Sequence, residues 1–179
     1  MCVVDSTVLI YLAKADLLSI LTEIYGNVLC PPKVYEEVVE RGGERGHRDA
    51  ERVRREVGRT LIIRPPEPGG VEEVKRDSKH KGFRLGEGEL EGVALSRETG
   101  ETFLSDDDDA KNYAEAMGIE GKGTIYLILK AYRDGIISRD ACSEAFEKMV
   151  QEGFRVGPEV ACIFYRKLEE IASKSRGKR

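Results

Sequence analysis

Phe103-Leu104-Ser105-Asp106-Asp107-Asp108-Asp109 sets two apolar residues against four consecutive carboxylates, and a helical pattern over 110–117 follows. The junction predicts a buried strand that ends where a helix begins. Adjacent aspartates repel one another unless water, a helix N-terminus or a cation takes up their charge. Helix capping accounts for part of the run, because Ser or Asp at the N-cap with more Asp in the first turn stabilises a helix by roughly 1 kcal/mol. Capping alone does not explain why the rest of the chain supplies carboxylates in comparable places.

The first residues repeat the junction. Cys2-Val3-Val4 is a short apolar run, Asp5 ends it, and Ser6-Thr7 lead into a helical pattern over 8–13. Asp16 is expected to cap a second helix over 17–24, and Gly26-Asn27 to turn the chain into a strand over 28–30. Pro31-Pro32 stop that strand, and the helix after them has Val34, Val38 and Val39 apolar with Glu36, Glu37 and Glu40 acidic. Residues 42–46 read as a flexible loop, 47–59 as an arginine-rich helix, 60–63 as a strand, and 72–81 as a polar helix or loop. Residues 85–91 lead acidic side chains into a small-residue helix over 92–96. Residues 120–123 read as a loop, 124–133 as an amphipathic helix with Gly135 as its C-cap, and 139–151 and 159–172 as closing helices before a frayed basic end, 174–179.

Short strands alternating with helices predict an α/β fold with a mostly parallel central sheet and helices on both faces. The expected organisation is one domain over 1–135 with a basic helical insertion at about 41–84, and a C-terminal helical extension over 136–179 packed on it. In such a sheet, function gathers at the carboxyl ends of the strands. Asp5 and the aspartate run both fall there.

Composition narrows the chemistry. A net charge of −4 over 179 residues argues against a generally cationic nucleic-acid coat and leaves room for a local basic patch. No stretch resembles a signal peptide or a membrane span, so a cytoplasmic protein is expected. Cys2, Cys30, Cys142 and Cys162 lie far apart without a CxxC pair, which disfavours zinc and thioredoxin-like chemistry. Two Asn, one Gln and 35% charged residues fit a thermophile's composition. Neither a GxSxG motif, a Walker loop, an EF-hand spacing nor GxGxxG is present.

The remaining candidates are Asp5, Glu36 or Glu37, one of Glu87, Glu89 and Glu91, and Asp106 to Asp109. Carboxylates converging on one rim need a counter-charge, and oxygen-rich acidic sites select hard cations such as Mg²⁺ or Mn²⁺. Each group also has a plain reading: Glu36, Glu37 and Glu40 as a solvated helix face, Glu87 to Glu91 as first-turn acids, Asp5 as a helix cap.

Val3-Val4-Asp5-Ser6-Thr7-Val8-Leu9-Ile10, Pro31-Pro32-Lys33-Val34-Tyr35-Glu36-Glu37-Val38, Gly88-Glu89-Leu90-Glu91-Gly92-Val93-Ala94-Leu95 and Leu104-Ser105-Asp106-Asp107 together resemble the successive acidic motifs of the PIN-domain nucleases, in the branch of small prokaryotic proteins related to VapC toxins. The resemblance covers roughly residues 1–135. It implies a three-layer α/β/α fold and a Mg²⁺- or Mn²⁺-dependent ribonuclease. It assigns metal ligation to Asp5, Glu37, Glu89 and Asp107, with Thr7 steadying the site, Glu91 the near alternative to Glu89 and Asp106 a close second to Asp107. It further implies an RNA substrate, a homodimer and a small antitoxin partner.

Arg48, Arg52 and Arg55 are candidates for RNA phosphates, as is the basic segment 75–84, although Glu51 and Glu56 also suit a salt-bridged face. Two other readings stand beside the nuclease. One is a non-catalytic PIN-fold module that binds RNA or protein. The other is a haloacid-dehalogenase-like phosphohydrolase, whose first motif continues with a second Asp where this chain has Thr7.

Overall fold

Alternation of side chains along three-residue strands builds the molecule outward from a sheet. In the computed structural model, which describes residues 1–44 and 46–176, five strands lie in the order β3-β2-β1-β4-β5, every pair parallel. They are β1 (Cys2–Val4), β2 (Val28–Cys30), β3 (Leu61–Ile63), β4 (Thr102–Leu104) and β5 (Gly121–Lys122). Cys2, Val4, Val28, Cys30 and Leu104 point into one core, whereas Val3, Leu29 and Phe103 point into a second core on the other face. This period of two is why strands buried on both faces read as unbroken apolar runs.

The first core is covered by α1 (Ser6–Ala15), α2 (Ser19–Tyr25), α3 (Pro32–Tyr35), α5 (Arg48–Glu56), α9 (Thr124–Arg133), α10 (Arg139–Gln151) and α11 (Pro158–Arg176). The second is covered by α6 (Gly70–His80), α7 (Glu87–Thr99) and α8 (Asp108–Ala116). The result is a three-layer α/β/α sandwich. The closing helices join the first core directly: α10 packs on α1 and α9, α11 packs on α9, and Phe146 stacks on Phe164 with ring centroids 4.0 Å apart. Among the described residues no helix is long and apolar enough to cross a membrane.

Several local expectations give way to tertiary structure. Asp16 ends α1 instead of opening α2: it takes a left-handed φ of 65°, and its amide bonds back to the last turn of α1. Helix α2 then begins at Ser19. The expected loop from Gly42 is helical through α4 (Gly42–Glu44), which continues a π-helical turn over Glu36–Arg41 and lies against Ala50 of α5. The segment read as helix or loop is α6. The expected loop at 120–123 contains β5, which exists only because it hydrogen-bonds alongside β4. Arg45 and the last part of the expected basic end, residues 177–179, lie outside the described residues.

One close approach fixes the second layer. A Cβ placed on Gly92 would stand 2.5 Å from the Phe103 ring, so glycine lets α7 sit directly on β4 and sets where the start of α7 meets the sheet rim.

Candidate metal centre

From β1 the chain steps outward to β2 and β3, then returns across the sheet to β4 on the other side of β1. A crevice therefore opens between the carboxyl ends of β1 and β4, the place where open parallel sheets bind ligands. The register Val3↔Phe103, Val4↔Leu104 brings the residue after each strand to the same level. Asp5 consequently meets Ser105, and its amide donates to the Leu104 carbonyl at 2.8 Å.

Asp5 is 2% exposed, and its carboxylate caps no free amide one turn into α1. Its Oδ2 accepts from the hydroxyls of Thr7 at 3.0 Å and Ser105 at 3.2 Å. Burial holds the carboxyl above the usual range despite these bonds, and the negative charge of Glu37 adds to the rise. The Ser105 hydroxyl in turn accepts from the Asp107 amide at 3.1 Å. A short relay thus ties Asp107 through Ser105 to Asp5.

The aspartate run separates into three jobs. Asp106 gives both oxygens to the start of α9, accepting from the Thr124 amide at 2.7 Å and the Thr124 hydroxyl at 2.5 Å. A Cβ on Gly123 would lie 2.9 Å from Asp106 Oδ1, so glycine there lets the two loops close together. Asp107 caps α8 through one oxygen, accepting from the Ala110 amide at 2.9 Å. Asp108 and Asp109 are first-turn acids of α8.

The pairs of neighbouring glutamates also divide. Glu36 is held by Lys33 at 3.0 Å and Arg41 at 2.6 Å, and these bonds keep its carboxyl below the usual range. Glu37 faces the start of α7, with Oε2 3.4 Å from where a Gly88 Cβ would stand. Glu91 accepts from the Lys33 amide at 2.9 Å and so caps α3. Glu89 accepts from the Gly86 amide at 2.7 Å, and its carboxyl is pushed up to about 7, first by burial and then by the charges of Asp5, Asp107 and Glu37.

Glu89 therefore lies within electrostatic reach of Asp5, Glu37 and Asp107, which come from three other elements, and Asp5 within reach of Glu37. Asp106 does not figure in that repulsion, and Lys111 and Asp108 are the charges it feels. Among the described residues no three carboxylate, imidazole or thiol groups close around a single point. The donor set is all hard oxygen, a chemistry that suits a hard divalent cation and not a soft one.

The arginine candidates sit elsewhere. Arg52 donates to the Ala13 carbonyl and pairs with Asp16 at 3.4 Å, at the opposite end of α1 from Asp5, while Arg55 pairs with Glu51 at 3.6 Å. Arg48 is exposed at the start of α5. Two residues of the centre escape sequence reasoning: Ser105, which bridges Asp5 and Asp107, and Thr124, which fixes Asp106. A hydroxyl ending an apolar strand two residues before Asp107 was a usable signal for the first. Nothing near Thr124 marks the second.

Residues 1–170 match a family model described as a PIN domain. Among solved structures, the chain is similar to a PilT N-terminus domain protein from the hyperthermophilic archaeon Sulfolobus solfataricus P2, at 18% identity and a TM-score of 0.44, covering 71% of this chain and 90% of that one. No curated protein matches the chain.

Proposed function

The chain belongs to the PIN-domain family, and from that premise we propose that it is a Mg²⁺- or Mn²⁺-dependent endoribonuclease whose ion is held by Asp5, Glu37, Glu89 and Asp107. The observation that carries the reading is the buried Asp5 at the end of β1, joined through the Ser105 hydroxyl to Asp107, with Glu37 against the start of α7 and the Glu89 carboxyl pushed up by burial and by these three charges. A protein that gathers uncompensated negative charge at a sheet crevice has built the complement of a cation. When bound, such an ion supplies an activated water and neutralises charge on the phosphodiester.

The chain's own residues orient this chemistry. Thr7 and Ser105 fix Asp5 by donating to its Oδ2, while its Oδ1 takes only a long bond of 3.4 Å from the Ser6 hydroxyl. Capping of α8 does the same for Asp107. Asp106, with both oxygens given to Thr124, serves to hold the β4–α8 loop in place. Of the candidates Arg48, Arg52 and Arg55, Arg48 is the one left for RNA phosphates, since Arg52 and Arg55 are engaged within the protein.

The finer form of the proposal is a toxin of a toxin–antitoxin pair, a homodimer held inactive by a small antitoxin protein; the likeness of its motifs to VapC-related proteins supports this. The test is Asp5→Asn. It should abolish Mn²⁺-dependent cleavage of single-stranded RNA while leaving the circular dichroism spectrum unchanged, and undiminished cleavage by the folded variant refutes the assignment.

A further inference from the structure

Carboxylates are spread unevenly over the basic clefts. The groove between α9 and α11 has Glu170 in its lining, and there Lys130 pairs with Asp134 and Lys167 with Glu170, leaving Lys174. The cleft at the end of α1 has Asp16 and Glu56 in its lining, and there Arg52 and Arg55 pair with Asp16 and Glu51, leaving Arg59. A cleft of about 490 Å³ between α6 and the segment leading into α7 differs from both. Lys75, Lys79 and Arg84 line it, no carboxylate does, and among the described residues none of the three has an ion-pair partner.

Lys75 and Lys79 are one turn apart on α6, so like charges face each other without relief, an arrangement that weakens a helix and that an external anion reverses. Phe83, Leu85 and Leu90 give the cleft an apolar floor. It also adjoins the metal centre along two paths. Leu90 is the neighbour of Glu89, and the Arg84 amide donates to Asp109, two residues beyond Asp107.

We propose that this cleft holds the phosphates of a single-stranded RNA whose adjoining phosphodiester lies at the carboxylates, with bases or riboses against the apolar floor. The inference rests on the nuclease reading for the identity of the ligand. In a chain of net charge −4, long-range attraction for RNA is absent, and affinity comes from local cations that displace counterions from the strand.

The experiment measures binding of a fluorescein-labelled 12-nucleotide oligouridylate by anisotropy in EDTA, where no cleavage competes, across a range of NaCl concentrations. Lys75→Ala/Lys79→Ala should weaken binding about tenfold near 50 mM NaCl and flatten the slope of log K against log [NaCl] by about 1.4, at roughly 0.7 for each lost phosphate contact. Lys130→Ala/Lys167→Ala removes the same charge from the α9–α11 groove and should stay within about twofold of the wild type. Equal weakening by both pairs, or wild-type binding by the first, overturns the proposal. Cleavage of the same oligonucleotide in Mn²⁺ separates the two claims. Lysine-dependent binding by a wild-type protein that never cleaves removes the nuclease reading and keeps the RNA cleft, whereas Asp5-dependent cleavage with lysine-independent binding does the reverse.

Discussion

Glu89→Gln keeps an oxygen to accept from the Gly86 amide and removes only the charge. A carboxyl lifted from 4.5 to about 7 on folding favours the native state below pH 4.5. That advantage is lost as the pH rises to 7, because the native protein must then carry a charge that the unfolded chain carries freely. At about 1.4 kcal/mol per pH unit the rise corresponds to about 3 kcal/mol. Solvent screening of a half-buried side chain cuts this to roughly 1–2 kcal/mol. Urea denaturation in metal-free buffer should therefore find the variant more stable than the wild type by that amount at pH 8, with the difference vanishing towards pH 4. In melting temperature this is about 2–8 °C for a chain of this size. Mn²⁺ at about 100 times its Kd should reverse the order, stabilising the wild type by about 2.7 kcal/mol and the variant by less. A variant no more stable than the wild type at pH 8 refutes the repulsion of Glu89 by Asp5, Asp107 and Glu37, and with it the electrostatic case for a cation.

Ser105→Ala removes a donor to a buried carboxylate and the acceptor for the Asp107 amide; the expected loss is about 2–4 kcal/mol by urea denaturation, with weaker Mn²⁺ affinity by calorimetry. Gly92→Ala drives a methyl into the Phe103 ring and should cost about 1–3 kcal/mol of stability, whereas a neutral result means that α7 can slide off β4. Burial pushes the thiols of Cys2, Cys30 and Cys142 up to about 12, while Cys162 is exposed. Native protein should thus release one equivalent of chromophore promptly from a disulfide thiol reagent at pH 8 and four only when unfolded.

Strands buried on both faces were easy to read, because Cys2-Val3-Val4 and Val28-Leu29-Cys30 have no polar side chain to confuse the pattern. Gly121-Lys122 carries no such signal: its strand character comes from β4 alongside it, not from its own side chains. Asp16 was legible as a helix boundary but not as which boundary, since aspartate both caps helices and tolerates the left-handed conformation that ends them. For the candidate centre, the motifs pointed to Asp5, Glu37, Glu89, Asp106 and Asp107; Asp5, Glu37 and Asp107 act on Glu89, while Asp106 gives both oxygens to Thr124. Lys33 and Arg41, three residues before and five after Glu36, were a local sign that Glu36 is neutralised and Glu37 left over. The engagement of Glu91 with the Lys33 amide had no such sign, because it joins residues 58 positions apart. The arginine helix left RNA phosphates and a salt-bridged face both open, and the bond from Arg52 to the Ala13 carbonyl had no local sign, because it joins residues 39 positions apart.

Asp5 and Ser105 are 100 residues apart in the chain and touch because two parallel strands are aligned residue for residue. Their meeting depends on counting along β1 and β4 and not at all on the length of what lies between. A longer or shorter connection would leave that alignment untouched, while a single residue added within either strand would turn the acid away from its partner. Reading frame within two three-residue segments, more than overall size or surface, is what a lineage of this domain must copy faithfully.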